Sequence, residues 1–223
     1  MSEVQSRTIS KLPLTRSPLG DEVKVPPSYW EDLSRRNLEE LCRKALVKLH
    51  VPEGLLVRFL GRNIMVDFQE KCLKRAGHGK WERIEYPLME ILFLIYLLNI
   101  GPDPLENEII SAKELKSSHF FQGPHALEIE PLIERFGYEP DAFARAAESL
   151  GGERENLGDL GYRVPVFPKV PVYYALWQGD EEFEPRFSIF FDRSIEKHLS
   201  ADAIWGLAKL ASDALLKAPD LPF

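Results

Sequence analysis

The stretch PLMEILFLIYLLNIG, residues 87–101, sets the tightest limit on how this chain can fold. It is the most apolar run in the sequence, with Glu90 near its start and Asn99 and Gly101 at its end. That length falls short of the roughly 20 residues needed to span a bilayer. The run therefore predicts a helix opened by Pro87, ending near Asn99 and buried in a protein core. With 223 residues, 44% of them apolar, and no low-complexity linker, the chain can build one sizeable core around that helix.

Flanking segments supply the layers. Ser28-Tyr29-Trp30-Glu31 has capping-box spacing, and Leu38, Leu41, Ala45 and Leu49 follow at steps of three and four, which predicts an amphipathic helix stopped at Pro52. GLLVRFLGRNIMVDFQ reads as two strands around a Gly61-Arg62-Asn63 turn, and WERIEY as a third strand. Ser111 to Glu114 is a second capping-box spacing. HALEIEPLIERFG and PDAFARAAESLGG predict a helical pair, each closed by glycine. YRVPVF, PVYYALW and RFSIFF predict strands, and SADAIWGLAKLASDALLK a final helix with Ser200 as its N-cap. The expected class is α+β: a mostly antiparallel sheet built from N-terminal and C-terminal hairpins, packed against a central set of helices. Residues 28–223 form a single α+β domain in this reading. Residues 1–27, with prolines at 13, 18, 26 and 27, form an extended or partly disordered N-terminal arm.

Composition narrows function. A net charge of −7 argues against affinity for nucleic acid, and no membrane span is expected. The first residues lack the apolar block of a signal peptide, so a cytoplasmic setting is expected. The only cysteines, Cys42 and Cys72, stand thirty residues apart, which excludes a cysteine-ligated zinc or iron–sulfur site within one chain. Cys42 reads as core, whereas Cys72 lies beside Lys71, Lys74 and Arg75, whose charge would favour a thiolate. No phosphate loop, dinucleotide-binding glycine pattern, nucleophile elbow or helical zinc pair is present.

Three stretches remain as candidate sites. Asp180, Glu181, Glu182 and Glu184 lie between two apolar runs. They read either as the hydrated tip of a hairpin, reversed at Gly179 with Phe183 tucked beneath, or as a metal or acid–base site. SSHFFQGPHAL places His119 and His125 around Phe120 and Phe121. An imidazole there would cap the following helix, ligate a metal or carry protons. The basic run Lys71, Lys74, Arg75, His78, Lys80 and Arg83 reads as a solvated loop between strands, or as a receiver for a carboxylate or phosphate.

LIERFGYEPDAFARAAESLGG, GDLGYRVPVFPKVPVYYALWQGDEEFEPRFSIFFDRSIEKHL and DAIWGLAKL together resemble the family known as domain of unknown function 3786. The resemblance covers roughly residues 38 to 217 and is densest at FQGPH, at LGG with a later GD, and at W-x-GDEEF followed by FDRS. It implies a setting in anaerobic bacteria and archaea, and it directs attention to His125, Asp159, Trp177, Asp180, Glu182, Phe183 and Asp192. Gly151, Gly152 and Gly179 also match. Some members carry an added iron–sulfur module, but this chain has no cysteine cluster to hold one.

The leading expectation is a non-catalytic ligand- or cofactor-binding accessory protein of anaerobic metabolism, taking a small-molecule or metal-containing ligand such as a tetrapyrrole. Its binding residues would be His125, Phe121, Trp177, Phe183, Lys74 and Arg75, with Asp180, Glu182 and Asp192 as metal ligands. A metal-assisted hydrolase using the acidic turn and His125 is the first alternative. A protein-interaction module is the second. The sequence specifies neither the cofactor, nor a catalytic residue, nor the oligomeric state.

Overall fold

The computed structural model describes residues 24–52, 54–77 and 79–218. Most of the expected N-terminal arm, and His78 of the basic run, lie outside the described residues. Helix α1 (Pro27–Ser34) starts with Pro27 in its first turn, so Ser28 is inside the helix and caps nothing. Asn37 then breaks the chain: its side chain accepts from Glu40 N at 3.0 Å and caps a separate helix, α2 (Leu38–Ala45). Leu46 ends α2 with a φ of 55°. The expected single helix through Leu49 is therefore two helices. Leu49 sits on strand β1 (Lys48–His50) and is largely exposed.

Strands β2 (Gly54–Phe59), β3 (Arg62–Asp67), β4 (Cys72–Gly77) and β5 (Lys80–Ile84) follow β1 as an antiparallel meander. The β2–β3 turn is Leu60-Gly61, with φ values of 45° and 74°, one residue earlier than expected. Two successive left-handed residues match the twist of the flanking strands. The basic run is not a loop, because Cys72 to Gly77 forms strand β4 with Cys72 and Leu73 buried.

Helix α3 (Pro87–Asn99) occupies the span expected from the sequence and buries Met89 and every residue from Ile91 to Leu98. Its ring Phe93 lies 5.0 Å from both Phe59 and Phe167, and Tyr96 stacks on Phe167 at 4.4 Å. The Tyr96 hydroxyl donates to Ala45 O at 2.6 Å, so the one polar tip in this cluster is satisfied.

The second half continues with β6 (Ile109–Ser111) and a 3-10 turn at Ala112–Glu114. The Glu114 carboxylate accepts from both Ser111 N and Ser111 Oγ at 2.8 Å. Further 3-10 turns at Ser118–Phe120 and Gly123–His125 lead to α4 (Glu130–Phe136) and α5 (Pro140–Ser149), the expected helical pair. Then come β7 (Glu153–Glu155), β8 (Leu160–Phe167), β9 (Val170–Trp177), β10 (Arg186–Asp192), α6 (Ile195–His198) and α7 (Ala201–Lys217). The second sheet is antiparallel, in the order β6-β10-β9-β8-β7.

The fold is thus α+β, but the two sets of hairpins form two five-stranded sheets where one was expected. They meet at the β2–β3 turn, where Leu60 N donates to Val166 O at 3.3 Å. There a Cβ on Gly151 would lie 3.1 Å from Gly61 Cα, and one on Gly61 would lie 3.0 Å from the Leu150 backbone, so the two glycines let the turns pack closely. One hydrophobic cluster runs from Tyr29 through α3 to Leu215, fed by both sheets. Among the described residues no helix is long and apolar enough to cross a membrane.

Candidate functional site

The β9–β10 hairpin pairs from Arg186 opposite Trp177 to Phe191 opposite Val172, and the acidic residues occupy its connection. Asp180 Oδ1 accepts from Glu182 N and Phe183 N at 2.8 Å, and Asp180 N donates to Phe183 O at 3.0 Å. Those two backbone bonds hold the Asp180 carboxyl below its ordinary range. Tyr138 donates its hydroxyl to Glu184 at 2.8 Å, a bond that raises the phenol's pKa. All four acids are exposed, and so is Phe183, at 69%. Phe183 does not tuck under the turn as expected, because Pro185 and Tyr138 already fill that space against Gly179. Gly179 has no left-handed backbone; a Cβ on it would lie 2.6 Å from Tyr138 Cε1 and 2.7 Å from Pro185 Cδ. It is needed for close approach rather than for reversing the chain.

The other end of β10 is different. Asp192 is 1% exposed, and its carboxylate accepts from Glu106 N (3.0 Å), Asn107 N (2.7 Å), Ser194 N (3.0 Å) and Ser194 Oγ (2.5 Å). Three of these donors crowd Oδ1 and one meets Oδ2, so the carboxylate is committed to holding backbone and Ser194 in place. Seven residues of strand place it roughly 20 Å from the tip. Asp180, Glu182 and Asp192 therefore do not converge, and among the described residues no three His, Cys, Asp or Glu side chains form a metal-binding group.

Salt bridges surround Asp192. Arg193 clasps Glu108 through two bonds of 2.5 and 2.8 Å, and Lys197 meets Glu106 at 2.9 Å and Asp103 at 3.6 Å. Beneath them Lys169 is buried and donates to Gly101 O at 2.6 Å, just past the C-terminus of α3. A cation at that end completes the helix dipole. Burial pulls the Lys169 pKa down, with Asp103 opposing. His198 is 2% exposed with both ring nitrogens unbonded. Burial and the nearby Lys169 push its pKa down to about 4. Sequence reasoning missed Lys169 and His198. Both follow obvious turn or helix signals, and nothing in their neighbours marks an inward side chain.

The basic strand has no free cation at the two expected positions. Lys74 Nζ lies 2.8 Å from Asp67 and 2.6 Å from Glu70, and its pKa is raised by those two hydrogen bonds. Burial disfavours ionised Asp67, yet bonds from Glu70 N, Lys74 and Gln69 N together keep its carboxyl below the usual range. Arg75 lies 3.5 Å from Glu82. Cys72 is fully buried, and desolvation raises its thiol pKa, outweighing the Arg83 and Lys74 charges that favour a thiolate.

The expected binding residues are scattered. Lys74 and Arg75 lie in the first sheet. Trp177, with the Arg186 guanidinium 5.3 Å from its ring centre, and Phe183 lie near the acidic tip. His125 and Phe121 lie in the 3-10 segment against α7. There the His125 ring stacks on Phe120 at 4.3 Å and meets Trp205 edge-on at 5.8 Å, while Phe121 packs edge-on against Phe120 at 5.5 Å. His125 is half-buried, and no hydrogen bond to either ring nitrogen is found among the described residues. The chain continues into a groove whose walls include Leu127, Pro131, Ile189 and Trp205. At its rim Lys209 stands 3.4 Å from Glu128 and 4.0 Å from Asp213. This face keeps an uncommitted imidazole beside open surface.

The densest motifs serve the backbone. Asp159, of the GD pair, accepts from Gln178 N at 2.9 Å; Gly158 has a φ of 59°; Asp180 builds a turn; Asp192 and Ser194 build the buried clasp. Searches against curated proteins and against solved structures each returned no match. A family model described as "Domain of unknown function (DUF3786)" matches residues 37–214, which contain every one of these motifs, and the chain belongs to that family.

Proposed function

We propose that the chain is a non-catalytic, ligand- or cofactor-binding accessory protein that takes its ligand across the Phe120–His125–Trp205 face. The observation that carries this is the imidazole held between aromatic rings with both nitrogens uncommitted. A neutral imidazole with a free lone pair is a metal ligand, and aromatic neighbours favour a planar one. The adjoining groove encloses about 30 Å³, room for about one water, so a tetrapyrrole would lie across the face. Lys209 lines that groove and holds Glu128 and Asp213 only at 3.4 and 4.0 Å, so it is the cation within reach of a ligand's acid group there; Lys74 and Arg75 lie on the other sheet. The cytoplasmic, anaerobic setting belongs to the same proposal and is supported by the family resemblance.

The hydrolase reading finds less support, because Asp180, Glu182, Asp192 and His125 occupy separate places. Anaerobic purification with an ultraviolet–visible spectrum and metal analysis, followed by titration with haem and with a corrinoid, tests the binding reading. A ligand-field or Soret shift that is lost in His125→Ala is expected. A colourless, metal-free protein that leaves both spectra unchanged contradicts it.

A further inference from the structure

Two surface features remain outside this account, and their chemistries match. At the acidic tip, Asp180 is engaged in its own turn and Glu184 is held by Tyr138. Glu181 and Glu182 have no partner among the described residues, and they precede Phe183, the most exposed of the described large aromatic rings. One exposed ring alone decides nothing. A ring beside two unpaired carboxylates has the form of an anchor with its own charged rim.

The second feature is a hollow of about 340 Å³ between α4, α5 and the end of α7. Ala142, Ala146 and Ala218 give it an apolar floor, and Arg135, Arg145 and Ser149 complete the lining. Neither arginine meets a carboxylate among the described residues, although the chain carries a net charge of −7. Arg135 merely lies over its own neighbour Phe136 at 5.2 Å. Two guanidiniums left open around an apolar hollow are fitted to an apolar body bearing two anionic groups.

We propose that the acidic tip of one copy docks into the arginine hollow of a second copy. Phe183 enters over the alanine floor, and Glu181 and Glu182 pair with Arg135 and Arg145. The arrangement of elements permits closure. Tyr138, which holds Glu184, lies in the turn joining α4 to α5, and a Cβ on Gly137 of that turn would come within 2.6 Å of Pro185. The tip of the β9–β10 connection thus packs against the turn of the helix pair that walls the hollow, and a two-fold axis lets each copy give one tip and receive one. The contact is small, one ring and two ion pairs per site, so association belongs in the micromolar range, roughly 1–100 µM, and weakens with salt. It is independent of the His125 face.

Sedimentation velocity on the full chain from about 1 to about 200 µM at low salt tests this. A concentration-dependent dimer is expected, weakened at least about tenfold by Phe183→Ser. The decisive arm is a charge swap. Arg135→Glu/Arg145→Glu and Glu181→Arg/Glu182→Arg are each expected to be monomeric alone, because tip and hollow then carry like charge, and to form a heterodimer when mixed. All these residues are on the surface, so far-UV circular dichroism should match the parent. A chain that stays monomeric throughout overturns the proposal, as does a dimer indifferent to these changes. So does a monomer whose hollow binds benzoate, which would assign the arginines to a small organic anion.

Discussion

The two ends of strand β10 carry similar residues and do opposite things. At its start, four carboxylates crowd a connection open to water, where screening reduces their repulsion. At its end, one carboxylate is sealed from solvent and collects four hydrogen bonds that tie the 106–107 backbone and Ser194 to the second sheet. The exposed cluster adds little to the stability of the fold, whereas the buried carboxylate holds it together. An acid's contribution follows from the donors it satisfies out of water, not from how many acids surround it.

The sharpest way to break this contrast is Asp192→Ala, which leaves four donors unsatisfied. A loss of about 3–5 kcal/mol in urea unfolding is expected, large enough to threaten folding altogether. Asp192→Asn keeps part of the acceptor capacity and should lose about half as much.

Proton linkage at the same end comes next. The His198 pKa is about 4 when folded against an ordinary 6.5, so the unfolded chain binds more protons between those values. Stability attributable to His198 is therefore full above pH 6.5 and falls as pH drops towards 4, by at most about 3 kcal/mol. The groups acting on His198 are Lys169, Lys197, Asp103 and Asp192. His198→Phe, compared with the parent by unfolding at several pH values, should flatten that part of the curve. An unchanged slope would remove His198 as its cause.

Gly179→Val probes the tip through packing instead of charge. Its side chain collides with Tyr138 and Pro185, and a cost of about 1–3 kcal/mol is expected without any change in the register of the hairpin. Smallest of all, Glu181→Gln/Glu182→Gln should move the melting temperature by less than about 2 °C, since neither group has a partner among the described residues.

Much of the fold was legible in the sequence where hydrophobic periodicity and end signals agreed. Helix α3 announced itself by uninterrupted apolarity, and α4, α5 and the β8 to β10 strands by period and bounding turns. Periodicity failed where a helix restarts in phase. Leu38, Leu41 and Ala45 keep helical spacing on the far side of the Asn37 cap, so spacing read from Leu38 onward does not report that a separate helix begins there. It failed again at β4, where Lys74 and Arg75 resemble solvated loop residues until Asp67, Glu70 and Glu82 are seen beside them. The division into two sheets depends on which strand edges find partners, and no local residue reports that.

The candidate site was legible in proportion to sequence distance. Asp180 acts on residues two and three positions away, and its turn could be read directly. Asp192 acts on backbone more than eighty residues earlier, and read as a metal ligand it was placed in the wrong company. His125 was recognisable by its aromatic neighbours, yet Trp205, which completes its setting, comes from the last helix.

Native-state hydrogen exchange gives the most direct test of the contrast between the two ends. The amides of Glu106 and Asn107, bonded to Asp192, should open only with global unfolding, whereas those of Glu182 and Phe183, bonded to Asp180, should exchange at least about a thousandfold faster. Equal protection at both ends, or slower exchange at the tip, would contradict the assignment of structure to one and hydration to the other.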